Sequence, residues 1–581
     1  VSRREKQIVV AISIVIALTR LLALSRSMWD WDEGLFSIAL HDFNVAAHHP
    51  HPPGFPLYIA VGRVMRLFIH DDFRALRAIE LIASMFLFPA MFALARAMKF
   101  PFAIAVSAGV LLAFFPNVWF YGGTAFSDIF NLVLLMMALA LLFGDRYLLG
   151  TIVFALSLLV RPQNVLCAYP WFVSSWRLRR WKDIISAAAI AIVIVAIGYG
   201  IAAKATGWRA YIAAVRGHQH YIATVDGFRN PHREPSLHFF PLFVIDPFEA
   251  GNRMIVVFAF AVLGLIIPKR RDLEALATFG PMVVFVLVML NPTGASRLSL
   301  EYMPLHALLA ADGIARVAGG AALLVRRPRA ALAVQALGVA ALAGSLISWS
   351  LSALREVKSH DSPPVQAMKW VRENIPIGST LFIDGGYGPV AAAYLKSYDA
   401  HFVDDEEDLA KMPPLRNAWY VGDHASTNAT AVNFHRPRKK LYALFTRRYF
   451  ESSVRPIAGT IRYLDGWYDL EGEGADQWRW MGRRARVVLQ PIAGGGELRF
   501  GAGVPIDAEP PPRVTVTVDG RAVDDFVATT GRFTRRYAIA PSAAAHEVVF
   551  DVSGAVNPAR QHLGGDTRDL GMQLRTISWT P

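Results

Sequence analysis

Trp29-Asp30-Trp31-Asp32-Glu33-Gly34-Leu35-Phe36, followed by His48-His49-Pro50-His51-Pro52-Pro53-Gly54-Phe55-Pro56-Leu57-Tyr58, is the stretch on which the reading of this chain turns. Within residues 29 to 53 lie four carboxylates, Asp30, Asp32, Glu33 and Asp42, and four histidines, His41, His48, His49 and His51. Trp29 and Trp31 interleave the acids, and indole rings favour the membrane–water boundary, so the carboxylates are expected at headgroup depth. A carboxylate beside a low-dielectric region is driven toward its neutral form unless it finds a partner, and that tension also makes a good general base. The prolines fix the backbone and remove amide donors, so His51 is presented on a stiff turn.

Moving outward, the chain has 581 residues, of which 54% are hydrophobic and only 18% charged, with a formal charge of +13. That balance excludes a soluble or disordered protein. Apolar runs occur at about residues 7–24, 78–95, 101–116, 124–143, 147–160, 163–176, 184–204, 254–267, 274–290, 300–318 and 330–350. Short cytoplasmic loops hold the Lys and Arg that resist translocation. If residues 56 to 69 do not cross, the clusters at Arg3, Arg4 and Lys6, at Arg96 and Lys99, at Arg146, at Arg177 to Lys182, at Lys269 to Arg271 and at Arg316 to Arg329 all share one side. Residues 56 to 69 are therefore read as an interfacial helix, with Arg63 and Arg66 at the headgroups. The amino-terminal run is read as a retained span with its start in the cytoplasm. Residues 25–77, residues 205–253 and everything after about 352 then share the outer side, where the chemistry is expected. Cys167 is the single cysteine, so neither an intrachain disulfide nor a cysteine metal cage is available.

Trp-Asp-Glu-Gly-Leu-Phe near the outer end of the first span, followed by His-Pro-Pro-Gly-Phe-Pro-Leu-Tyr at 51 to 58, resembles the GT-C superfamily of integral-membrane glycosyltransferases. The resemblance is nearest to the protein O-mannosyltransferase and aminoarabinose-transferase branch and to related bacterial families with a His-Pro-Pro-Gly-Tyr-Pro-Leu type motif. It spans about residues 7 to 318. Phe115-Pro116-Asn117-Val118-Trp119 with Asp128, Val160-Arg161-Pro162-Gln163, and Glu301-Tyr302-Met303-Pro304-Leu305 are similar to those families' recurring outer-edge segments. Two departures stand out: Glu301 where an arginine usually precedes the tyrosine, and His51 where a lysine is frequent.

The resemblance implies a polyprenyl-phosphate sugar as donor and an extracytoplasmic glycan, lipid or protein as acceptor, with inversion at the anomeric carbon. It implies a bacterial cytoplasmic (inner) membrane location and periplasmic C-terminal domains. Asp32 is implied as general base, Glu33 as the neighbour that orients it or the acceptor, and Asp30 as the reserve. Arg77, Arg161, His51 and Arg297 are the expected donor-phosphate ligands, because guanidinium offers several donors and keeps its charge. Asp128 is an intramembrane acid and is functional or paired by default. His49, His218 and His220 join Asp30 and Asp128 as acceptor or metal candidates; imidazole with carboxylate suits a divalent metal, although the spacing matches no closed metal motif. Besides donor, acceptor and membrane lipids, no nucleic-acid partner is expected. In the loop 205–253, residues 207 to 222 read as an amphipathic interfacial helix. A flippase or transporter of lipid-linked glycans and a non-enzymatic polysaccharide-binding scaffold are the rival readings.

Beyond Trp349 the composition changes. Helix signals at Val365 to Glu373 and Val390 to Leu395 flank a strand signal from Ser379 to Asp384. The acidic run Asp404 to Asp408 reads as a solvated loop, and Asn428-Ala429-Thr430 matches a glycan-acceptor triplet. Later segments alternate in the manner of strands: Arg484 to Leu489, Glu497 to Phe500, Arg513 to Val518, Phe533 to Ile539, Glu547 to Val552 and Met572 to Trp579. The expected fold is thus an α-helical polytopic membrane domain, GT-C-like with about eleven spans plus interfacial helices (1–352), a small α/β unit (353–457) and a C-terminal β-sandwich of jelly-roll-like type (458–581).

Overall fold

The computed structural model describes residues 2–178, 180–291, 294–324, 326–327, 330–403, 409, 418–428, 431–436, 444, 450–457, 461–473, 476–492, 494–505, 510–528 and 531–581. The acidic run 404–408 and the last two residues of the triplet 428–430 lie outside these. The chain divides into two compact units, Val1–Ser362 with Pro437–Arg448, and Pro363–Arg436 with Tyr449–Pro581.

The first unit is helical. Among the described residues five helical stretches are long and apolar enough to cross a membrane: Asp72–Ala97, Trp181–Thr206, Arg270–Met289, Ala295–Leu324 and Ala331–Asn374. Shorter apolar helices, among them Phe102–Phe114, Asp128–Phe143, Tyr147–Leu158 and Asn252–Leu265, fall on further apolar runs. Prolines set several boundaries. The helix Phe102–Phe114 ends ahead of Pro116, which opens the short helix Pro116–Tyr121. The run 163–176 is a 3-10 turn at Pro162–Cys167 and then a helix Tyr169–Leu178, because Pro170 has no amide to continue an earlier helix and fits only a first turn. Pro56–Met65 forms a ten-residue helix, about 15 Å long at 1.5 Å per residue, half of the roughly 30 Å hydrocarbon core. Arg63 donates from Nε to Leu40 O (3.0 Å) and from Nη2 to Ala39 O (3.3 Å), answering carbonyls at the end of helix Trp31–Ala39.

The helices Asn252–Leu265 and Met303–Leu324 approach so closely that a Cβ on Gly313 would lie 1.9 Å from the Phe260 carbonyl oxygen. Small residues allow such backbone contact between membrane helices.

The second unit begins with a five-stranded sheet. Thr380–Asp384 pairs in parallel with Asp399–Val403 and Ala418–Gly422, and Glu451–Pro456 adds antiparallel pairing to Ala418–Gly422 and Val432–His435. Helices Pro363–Asn374 and Gly388–Tyr394 share its core through Met368, Val371, Ala391, Leu381 and Val454. Two antiparallel five-stranded sheets follow. In one, Gly496–Val504 lies between Gly531–Ile539 and Met572–Thr580; in the other, His546–Val552 lies between Arg513–Val518 and Arg484–Leu489. Their buried residues, including Val487, Phe500, Val516, Phe550 and Trp579, form one common core. Arg513–Val518 shows the cause, burying every second residue as the period of a strand requires.

Candidate active site

Helix Trp31–Ala39 is set by its own first residues. Asp30 is the N-cap and accepts from Asp32 N at 3.1 Å, while Glu33 Oε2 reaches back to Trp29 N (2.6 Å) and Asp30 N (3.1 Å). This is a capping box, in which side chains satisfy amides that a helix start leaves open. The other Glu33 oxygen accepts from Ala125 N at 2.8 Å, tying the loop to the segment that leads into helix Asp128–Phe143. Glu33 is fully buried, and burial lifts its pKa to about 7 against the pull of those three N–H donors. Asp30 is buried as well, so of the three neighbouring acids only Asp32 lines a cavity.

That cavity has a volume of about 640 Å³, and Asp32, His51, Arg161, His218, Asp226 and Arg297 contribute its ionisable lining together with His48. Its floor is a chain of alternating charges. Arg297 bonds the Asp32 carboxylate through Nη1 and Asp128 Oδ2 through Nε at 3.1 Å. Asp128 also pairs with Arg161 Nη2, and Arg161 Nη1 lies 3.3 Å from Glu301 Oε1. The Arg297 guanidinium carbon lies 4.2 Å from the Phe126 ring centroid, a cation–π contact. Asn117 steadies the turn that carries Arg297, donating to Ser296 O at 2.8 Å and to Ser299 Oγ at 3.0 Å.

Asp128 opens its helix, and Glu80 on helix Asp72–Ala97 holds that opening by accepting from Ile129 N (2.8 Å) and Phe130 N (3.2 Å). Glu80 did not figure among the expected site residues; its signal was an acid at the third position of the apolar run 78–95.

His51 stands 3.7 Å from Asp32 Oδ1, beyond hydrogen-bond reach, and edge-on to Phe55 at 4.7 Å. Burial pulls its pKa to about 4, with the Asp32 charge opposing and Arg297 reinforcing the shift, so the imidazole is neutral at ordinary pH. The turn behind it needs glycine. Gly54 has φ +108°, and a Cβ there would lie 2.7 Å from Val45 Cγ2. Tyr211 OH donates to Pro53 O at 3.0 Å, which joins this turn to helix Trp208–Tyr221.

The other expected residues are placed as follows. His218 lines the cavity, its ring 6.1 Å from that of His51, and burial lowers its pKa. His49 pairs with Asp42 at 2.9 Å. Neither His49, His220 nor Arg77 is among the lining residues. The Arg77 guanidinium donates to Ser25 O and stacks 5.4 Å from the Phe73 ring centre, bracing the start of the loop. Among the described residues no three His, Cys, Asp or Glu side chains group as a metal cage.

Among solved structures, that of ArnT from Cupriavidus metallidurans bound to undecaprenyl phosphate is 13% identical, with a TM-score of 0.50 over 78% of this chain and 98% of that one. This chain shares its fold with that structure. The Archaeoglobus fulgidus oligosaccharyltransferase tethered with an acceptor peptide matches at 12% identity and TM-score 0.45, covering 71% of this chain and 68% of that one. The mycobacterial arabinofuranosyltransferase AftD matches at 12% identity and TM-score 0.43, covering 100% of this chain and 59% of that one. No family model matches the sequence, and no curated protein matches it.

The cavity also gathers residues that their positions in the sequence do not single out. Asp226, at the end of the turn after Tyr221, is hydrogen-bonded to Asn291, and both line the cavity with Tyr221. Burial raises the Asp226 pKa. Their convergence comes from tertiary packing across some 70 residues of chain and carries no local pattern.

Proposed function

We propose that this protein is an inverting glycosyltransferase that moves a sugar from a polyprenyl-phosphate carrier to an extracytoplasmic glycan, lipid or protein acceptor, with Asp32 as general base. The observation that carries the reading is that the Asp32 carboxylate lines the same cavity as two guanidinium groups, Arg161 and Arg297, and is paired with the latter. The acceptor oxygen attacks the anomeric carbon, the bond from that carbon to the phosphate oxygen breaks, and the carrier phosphate leaves with the electron pair. Asp32 takes the acceptor's proton. Arg161 and Arg297 neutralise the departing phosphate, which is electrostatic stabilisation aimed at charge that grows during the reaction. His51, being neutral, serves as a hydrogen-bonding wall residue.

Arg297 has a double allegiance. Paired with Asp32 it makes that carboxylate a poor base. An incoming phosphate competes for the same guanidinium and weakens this hold, so base strength rises when donor is bound. Glu33 and Asp30 shape the helix start on which Asp32 rides, and Arg77 braces the loop at Ser25.

The test is transfer from a radiolabelled polyprenyl-phosphate sugar by wild type and Asp32→Asn. Loss of general-base assistance is expected to lower turnover by about 10²–10⁴ while donor binding persists. Equal transfer by both proteins overturns the assignment.

A further inference from the structure

Helix Asp128–Phe143 and the turn Pro162–Cys167 are tied by more than the ion pair of Asp128 with Arg161. About one turn beyond each charged residue stands an asparagine, Asn131 after Asp128 and Asn164 after Arg161, and both are fully buried. Asn164 Nδ2 donates to Asn131 Oδ1 at 2.7 Å, and Asn131 Nδ2 donates back to Asn164 Oδ1 at 3.4 Å. The second Asn164 Nδ2 proton goes to Ser157 O at 3.2 Å, in the last turn of helix Tyr147–Leu158. That same carbonyl accepts from Arg161 N at 2.9 Å, and Asn164 N donates to Arg161 O at 3.1 Å, so the Arg161 backbone is bonded on both sides. Neither asparagine is among the residues lining the cavity.

A buried amide is costly unless its donors and acceptors are answered, and these two answer each other. Their lack of charge matters for what happens next to them. A phosphate arriving at Arg161 competes with Asp128 and Glu301 for the guanidinium, so both ion pairs loosen at the moment when Arg161 must stay in place. An anion does not compete for a bond between neutral amides. Two-pronged binding of phosphate by guanidinium depends on the orientation of the fork, which follows from the backbone that carries it.

We propose that Asn131 and Asn164 are positioning residues for Arg161: their amide pair holds the turn against helix Asp128–Phe143 while the donor phosphate draws the guanidinium away from its carboxylates. The proposal rests on the reading of Arg161 as a donor-phosphate ligand.

The experiment uses the full chain in lipid nanodiscs and titrates undecaprenyl phosphate by calorimetry into wild type, Asn164→Ala, Arg161→Lys and the double variant, with a thermal scan to verify that each folds. Arg161→Lys keeps the charge opposite Asp128 but loses the fork, and is expected to weaken binding about tenfold, the worth of roughly one charge-assisted hydrogen bond. Asn164→Ala is expected to weaken it about tenfold as well, and the double variant to lie within about twofold of Arg161→Lys alone, because a residue that acts through Arg161 adds little once the fork is gone. Asn131→Ala spares the Ser157 bond and is the milder variant; it carries the same prediction, with a loss of about threefold, where Asn164→Ala does not fold. Gln335→Ala removes a buried hydrogen bond to Ser107 Oγ (3.0 Å) outside the cavity lining, and is expected to lower the melting point and leave the affinity unchanged. Undiminished affinity in the folded asparagine variants, losses that multiply in the double variant, or an equal loss in Gln335→Ala overturns the proposal and leaves the phosphate role of Arg161 standing. Wild-type affinity in Arg161→Lys, or no saturable binding by wild type, overturns the reading of Arg161 and this proposal with it.

Discussion

Asp128 Oδ2 accepts from Arg297 Nε at 3.1 Å, and through this contact a carboxylate outside the cavity lining sets the position of a guanidinium inside it. Asp128 stands between Arg297 and Arg161, so each guanidinium is held at a fixed place despite their mutual repulsion. The polar floor is therefore a single unit in which removal of the middle charge affects both ends.

Asp128→Asn is accordingly expected to be more damaging to folding than a change at the cavity surface. Breaking a buried ion pair by removing one partner typically costs about 3–5 kcal/mol. A fall in thermal unfolding midpoint larger than that of Asp32→Asn, measured in detergent on purified protein, is the expected outcome.

Glu301 competes with any anion for Arg161, from which it is separated by 3.3 Å. Glu301→Gln frees donors of Arg161 and removes a negative charge from the floor. Undecaprenyl phosphate is expected to bind about tenfold more tightly, the worth of roughly one charge-assisted hydrogen bond. Calorimetric titration of wild type and variant reads this directly, and weaker binding by the variant contradicts it.

Glu33 and His51 oppose each other in their pH dependence. Glu33 rises from 4.5 to about 7 on folding, so the native state holds more protons in that window and stability falls as pH increases through it. His51 drops from 6.5 to about 4, so its contribution is present above 6.5 and is lost as pH falls through about 4. Relative to wild type, His51→Gln loses the second trend, and its thermal midpoint is expected to gain less or fall more between pH 4 and 6.5. Relative to wild type, Glu33→Gln loses the first trend, and its midpoint is expected to fall less or rise more between pH 4.5 and 7, from a lower baseline because the carboxylate no longer answers three amides. Circular-dichroism melts across this pH range measure both.

Gly54→Ala tests the turn that presents His51. The left-handed φ and the 2.7 Å approach of Val45 Cγ2 together predict a loss of about 1–3 kcal/mol and a displaced imidazole. Reduced transfer with a lower melting point is expected, whereas Gly217→Ala, inside a helix and with nothing within 4 Å of its Cβ, is expected to leave stability unchanged or raise it by up to about 1 kcal/mol.

The helical layout was legible because the lipid-crossing runs are continuous and the prolines at 116 and 170 punctuate them. Within the second unit Arg513–Val518 announced itself by strict alternation and His546–Val552 by its valine-rich run, whereas Trp467–Glu473 and Arg521–Val527 did not stand out. Arg521–Val527 buries no residue fully and carries Asp524 and Asp525 at its centre, so its strand state follows from pairing with Arg513–Val518 and not from its own pattern. At the site, clustering of acids and histidines marked Asp32 and His51, but residue type alone does not distinguish Asp32, which faces the cavity, from Asp30 and Glu33, which turn inward to cap the helix. Arg77 likewise shares its chemistry with Arg161; only packing directs it to the Ser25 carbonyl. Asp226 and Asn291 meet by tertiary packing that no local spacing encodes.

Tyr121 OH donates to Leu444 O at 2.6 Å, a bond within the first unit between residues 323 apart in the chain. Dissection of this polypeptide at Ser362 would consequently deprive the helical half of a native acceptor, and the remainder would carry residues 437–448, which belong to the first unit. Expression of either half alone calls for a spliced gene, not a truncated one.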